Sequence, residues 1–104
     1  MSRYIKIGNL FERTKLMSKE EFNNIFDDME EELIKHGDIE LIKVIRNGEE
    51  MVGAEVGSVF ARYPTEQEAA KAVAALKGRI YDGREVKVIF VPKDVFENDL
   101  RFGN

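Results

Sequence analysis

The feature that most constrains the fold is the way the apolar residues change period along the chain. Tyr4-Ile5-Lys6-Ile7 alternates and stops at Gly8-Asn9-Leu10, which predicts a short strand with Ile5 and Ile7 on its buried face. After a polar loop over 11–17 the period becomes helical, with Phe22, Ile25, Phe26, Met29 and Leu33 on one stripe. Ser18-Lys19-Glu20-Glu21 has the form of a capping box, in which the hydroxyl accepts from the amide three residues on and Glu21 reaches back. Gly37, after Lys35-His36, is expected to stop this helix in the left-handed conformation. Strand-like runs return over 39–46, closed by Asn47-Gly48, and over 56–63, with Val59, Ala61 and Tyr63 facing inward. Thr65 and Glu68 form a second capping box. The helix they open has Ala69, Ala72, Val73 and Leu76 on its face and ends at Gly78, before a last strand over 85–91.

The order is βαββαβ, an α+β, ferredoxin-like arrangement. It predicts a four-stranded antiparallel sheet with both helices on one face. The tail residues Val95, Phe96, Leu100 and Phe102 are apolar enough to lie over the other face. At 104 residues there is room for one domain, with a core over about 3–91 and an extension over 92–104.

Composition removes several function classes. There is no cysteine and a single histidine, so neither a thiolate nucleophile nor a cysteine or histidine metal cluster is expected, and no cofactor motif is present. No run is long enough to span a bilayer. The net charge of −4 disfavours nonspecific binding to nucleic acid, because phosphate affinity comes largely from Lys and Arg displacing counterions. The acidity is local. Residues 18–40 hold nine acidic side chains against Lys19 and Lys35, a balance of −7, while the remainder carries +3.

Three stretches make the reading specific. Ile5-Lys6-Ile7-Gly8-Asn9-Leu10 fits the short RNP motif, and Val56-Gly57-Ser58-Val59-Phe60-Ala61-Arg62-Tyr63 fits the frame of the long one. The segment from Glu68 to Gly78, followed by Gly83-Arg84-Glu85-Val86-Lys87-Val88, resembles the second helix and last strand of the RNA-recognition-motif family. That resemblance implies single-stranded RNA stacked on aromatic side chains of the two central strands. The positions that should carry those aromatics hold Lys6, Ser58 and Phe60, so two stacking platforms out of three are missing. A stacked base contributes about 1–3 kcal/mol, so most of the usual affinity should be gone.

Two features have no place in the RNA reading. On a helical wheel Asn24, Asp28, Glu31 and Glu32 fall on one flank of the first helix. They make either a solvated face or a surface for a cationic partner. The second is Gly78-Arg79-Ile80-Tyr81-Asp82-Gly83, read as a loop after the second helix. It is either a plain connection with Tyr81 folded inward or a guanidinium and a ring placed to sandwich an indole.

Degenerate RNP motifs, an acidic first helix and an Arg-X-Phe loop together resemble the UHM, the homology motif named for the auxiliary factor of the U2 snRNP. The resemblance implies a module that binds short, basic, tryptophan-containing peptides of other splicing factors, in a nuclear splicing protein. Carried over by position, Arg79-Ile80-Tyr81 takes the place of Arg-X-Phe, with Tyr for Phe. Asp28 and Glu32 take the place of acids that meet the ligand's basic residues. Asn24 stands where a further acid is common. Three rival readings differ in what they need. An RNA-binding module needs Lys6, Ser58 and Phe60 on an open sheet. An enzyme needs a nucleophile–base pair, and none is recognisable: His36 reads as a residue beside a helix C-terminus. Self-association would use the sheet or tail.

Overall fold

A computed structural model of the chain describes residues 1–11 and 16–100. The strand β1 (Tyr4–Gly8) is followed by helix α1 (Lys19–Leu33), β2 (Leu41–Val44), β3 (Val59–Arg62), helix α2 (Glu66–Leu76), a short β4–β5 hairpin (Ile80–Tyr81 and Arg84–Glu85) and β6 (Lys87–Val91). The main sheet is antiparallel throughout, in the order β2-β3-β1-β6. The expected βαββαβ order holds, with the hairpin added before the last strand.

Alternation in β1 decides which core each side chain joins. Ile5 and Ile7 point to the helices and join Phe22, Ile25, Met29, Leu33, Ala61, Tyr63, Ala72 and Leu76 in the larger core. Tyr4 points the other way. It lies in a second, smaller core with Ile45, Ala54, Phe60, Val91, Phe96 and Leu100. The cover over the sheet is a single π-helical turn, Val95–Asp99, as the apolar tail suggested. Phe102, expected to share in it, lies outside the described residues.

The capping box on α1 is complete, with Glu21 N–H donating to Ser18 Oγ at 3.1 Å and Ser18 N–H to Glu21 Oε1 at 2.9 Å. The box expected on α2 is only half made. Thr65 Oγ1 accepts from Glu68 N–H at 3.2 Å, but the Glu68 carboxylate turns to the α1–β2 loop and accepts from Asp38 N–H at 2.8 Å. Gly37 is not a left-handed stop. Its φ is 160°, extended backbone, and α1 ends instead through a 3₁₀ turn over Ile34–His36. A side chain at Gly37 would run into the Glu68 carboxylate, which explains the glycine by close approach rather than by backbone hand. Strands β2 and β3 are shorter than their apolar runs, and past their ends Ile45 still pairs with the approach to β3, its N–H donating to the Ser58 carbonyl at 2.9 Å and its carbonyl accepting from Gly57 N–H at 2.8 Å.

Candidate functional site

The β4–β5 hairpin has two residues in each strand and pairs only with itself. Asp82 and Gly83 make its turn, with φ of 51° and 79°, the left-handed pair that a two-residue type I′ connection needs. The expected loop is therefore a hairpin, and Asp82-Gly83 between two short extended runs was the signal for it. An isolated hairpin this small has little stability of its own. Its base is tied by Val86 N–H donating to the Arg79 carbonyl at 2.7 Å and Gly78 N–H to the Val86 carbonyl at 3.2 Å.

Its free side is tied to α1 by two side-chain links. Arg79 Nη1 donates to Glu32 Oε1 at 2.6 Å, and Tyr81 Oη donates to Asp28 Oδ2 at 2.7 Å. The register has a simple origin. Asp28 and Glu32 are four residues apart on a helix, a rise of about 6 Å. Arg79 and Tyr81 are two apart on extended chain, about 6.6 Å. The two pairs therefore meet side by side.

Between α1, α2 and the hairpin lies a cavity of about 240 Å³. It is lined by the buried Met29, Leu76 and Val86 and by Asp28, Glu31, Glu32, Arg79, Ile80 and Tyr81. The structure thus brings together six of the seven residues singled out for a peptide site. Asn24, the seventh, lines an adjoining hollow of about 450 Å³ with Leu10, Phe11, Ile25 and Glu21, and Asp28 and Tyr81 line both. Met29, Leu76 and Val86 were read only as core or strand residues, because a floor made from three elements has no local sequence signal.

The carboxylates around the cavity are not equivalent. Glu32, with its side chain only 14% exposed, also accepts from Lys35 Nζ at 3.1 Å and has His36 Nε2 at 3.8 Å. Burial pushes its carboxyl up, but the Lys35 hydrogen bond and the charges of Arg79, Lys35 and His36 outweigh this and hold it below the usual range. Burial first, then the hydrogen bond and charge of Asp28, raise the Tyr81 phenol above its ordinary value. The Glu31 side chain has no hydrogen-bond or ion-pair partner among the described residues.

The sheet face is arranged differently. Phe60 is 1% exposed, with Phe96 edge-on to it at 6.3 Å between ring centroids, and Tyr4, on the same face of the sheet, packs against Phe96 at 4.6 Å. Tyr4 Oη donates to Glu97 Oε2 at 2.6 Å, which fastens the turn to β1. Lys6 Nζ lies 2.7 Å from Glu55 Oε2, and Ser58 Oγ donates to the same oxygen at 2.9 Å. The hydrogen bond from Lys6 is the main reason the Glu55 carboxyl is pulled down to about 2. All three expected RNA-facing positions are thus occupied by contacts within the chain. Tyr4, Glu55 and Glu97 have no local sequence signal for these roles, since the Tyr4–Glu97 and Lys6–Glu55 contacts both join residues far apart in the chain. Part of this face stays open: a hollow of about 650 Å³ runs between Met51 and Val52 on one side and Pro92, Val95 and Leu100 on the other.

The family model described as "RNA recognition motif" matches residues 5–87. The chain belongs to the RNA recognition motif family. Among curated proteins this RNA recognition motif is similar to a large subunit of splicing factor U2af from Arabidopsis thaliana, with 33% identity over 86 residues, covering 80% of this chain and 15% of that one. It is similar to a U2af large subunit from Oryza sativa subsp. japonica with 36% identity over 87 residues, covering 81% and 16%. It also resembles a U2af small subunit from Arabidopsis thaliana, with 34% identity over 74 residues, covering 71% and 25%. The chain thus spans about a sixth of the length of these large subunits. Among solved structures, the first two RRM domains of yeast poly(U) binding protein share the fold, with a TM-score of 0.61 at 20% identity over 88% of this chain and 47% of that one.

Proposed function

We propose that this domain is a UHM-type protein-interaction module of a nuclear splicing factor, and that the cavity between α1, α2 and the hairpin takes a tryptophan from a basic peptide of another splicing factor. The observation that carries the reading is the cavity itself, an apolar floor with a guanidinium, a phenol ring and several carboxylates around it. At about 240 Å³ it is below the roughly 300–1,000 Å³ usual for drug-sized ligands, and suits a single large side chain. A planar indole would find the Tyr81 ring and the Arg79 guanidinium on its flanks. The acidity of α1 would steer basic peptides toward it and away from neutral competitors. The similarity to the large and small U2af subunits supports a place in splicing. In this reading Arg79, Ile80, Tyr81, Asp28, Glu31, Glu32 and Asn24 serve peptide binding, residues 1–104 act as one domain, and no reaction is catalysed.

Single-stranded RNA on the sheet is the competing reading, favoured by membership of the family and opposed by the burial of Phe60 and the pairing of Lys6 with Glu55. Calorimetric titration with a Trp peptide preceded by arginines, and with its Trp→Ala control, decides. The peptide should bind, the control should not, and amide signals at Asp28, Glu31, Arg79 and Tyr81 should move. Equal heats from both peptides sink the proposal. Oligouridine that shifts Lys6, Ser58 and Phe60 while the peptide shifts nothing would establish RNA binding in its place.

A further inference from the structure

The hydroxyl of Tyr81 gives Asp28 a task that a phenylalanine at this position could not. We propose that Asp28 is a positioning residue: it holds the Tyr81 ring upright as one wall of the cavity, and Glu31 is the carboxylate left to meet a ligand's positive charge. The inference rests on the peptide-binding reading and refines it.

Three observations lead to it. The first is the hairpin's dependence on outside support, since it pairs with no other strand and is linked to α1 through Arg79–Glu32 and Tyr81–Asp28. The second is position. Asp28 and Tyr81 line both the 240 Å³ cavity and its 450 Å³ neighbour, so their hydrogen bond stands as a strut between the two. Without it the ring can swing and the two spaces can merge. The third is the state of the carboxylates. Asp28 is engaged by the Tyr81 hydroxyl and Glu32 by Arg79 and Lys35, whereas Glu31 lines the same cavity, is exposed and has no such partner among the described residues. A ligand cation meeting Glu31 displaces nothing, while one meeting Glu32 must compete with two cations of the chain itself.

The two roles for Asp28 separate in substitution. An asparagine loses the charge but keeps an oxygen that can accept from the Tyr81 hydroxyl. An alanine loses both. If Asp28 is a strut, Asp28→Asn binds the Trp peptide within about twofold of the unaltered domain, while Asp28→Ala and Tyr81→Phe each bind about three- to tenfold more weakly. The double variant Asp28→Ala/Tyr81→Phe should be no weaker than the worse single one, because both remove the same bond. These losses should be equal for an arginine-bearing Trp peptide and for one with glutamines in place of arginines, and little changed by salt. Glu31→Gln should weaken only the arginine-bearing peptide, and less so as salt rises. Amide shifts of Leu33, Val59 and Ala72, in the core, report whether each variant is folded.

The proposal is overturned if Asp28→Asn is as weak as Asp28→Ala for the arginine peptide alone and Tyr81→Phe binds normally. Asp28 would then pair directly with the ligand. Failure of the unaltered domain to bind any Trp peptide would instead remove the underlying peptide-binding reading, and this inference with it.

Discussion

The two faces of the domain hold similar side chains in opposite states. On the sheet, an aromatic ring, a lysine and a serine stand where a family member would meet RNA. Each is used within the chain, Phe60 under Phe96 and both Lys6 and Ser58 on Glu55. On the helical side, an aromatic ring, an arginine and carboxylates also contact one another, around a cavity of about 240 Å³ that Glu31 lines without a partner for its side chain among the described residues. The larger hollow on the sheet, about 650 Å³, is lined by Lys6 and Phe60, both already engaged within the chain. The fold therefore does not decide where recognition happens. In the proposed reading it is decided by which side chains the chain leaves unengaged around each opening, Glu31 on the helical side and neither Lys6 nor Phe60 on the sheet.

That contrast can be broken from either side. The largest expected effect is on the sheet. Phe96 is fully buried against Tyr4 and Phe60, so Phe96→Ala should lower unfolding free energy by about 3–5 kcal/mol, read from the urea midpoint. A loss under about 1 kcal/mol would mean that the turn is not part of the folded core. Next comes Tyr81→Ala, which should remove about 2 kcal/mol or more of Trp-peptide binding with a smaller change in stability. Were the two variants to lose stability and binding alike, the separation of the faces would collapse.

Smaller effects sharpen the picture. Ser18→Ala breaks the capping box of the helix that carries Asp28, Glu31 and Glu32, and should cost about 1 kcal/mol of stability. The smallest concerns acid. Glu55 titrates near 2 in the folded chain, below the ordinary carboxylate value of 4.5. Its contribution is therefore present above about pH 4.5 and is lost as pH falls toward 2. Because the carboxylate is partly exposed, we expect under about 1 kcal/mol, seen as a gap between the unaltered chain and Glu55→Gln that closes on acidification. A gap that stays constant to low pH would show that the Lys6–Glu55 charge pair contributes nothing.

Most of the fold was legible because it is written in local periodicity. The stripe of α1 and the alternation of β1 each state which face is buried, and Ser18 and Thr65 mark both helix starts. The failures share a physical cause. Gly37 has the usual local habit of a helix stop, but the constraint on it comes from Glu68, about thirty residues away in the chain. The site divides in the same way. Arg79, Tyr81 and the acids of α1 could be named from the sequence, yet which acid each would hold depends on the register of the hairpin against a helix. Nor could Lys6 and Ser58 be seen to share Glu55, because the link joins β1 to the approach of β3.

The turn that carries Phe96 bears on where such a domain should be cut. The family match ends at residue 87, at the first residue of β6, whereas Tyr4 and Phe60 are enclosed only by side chains up to Leu100. A fragment trimmed to the family frame of 5–87 would lose Tyr4, Phe96 and most of β6 and leave the Phe60 ring facing water on a central strand, and would invite both aggregation and misleading affinity for nucleic acid. For this chain the working boundary lies at or beyond Leu100, and sheet binding seen with shorter fragments would belong to the cut.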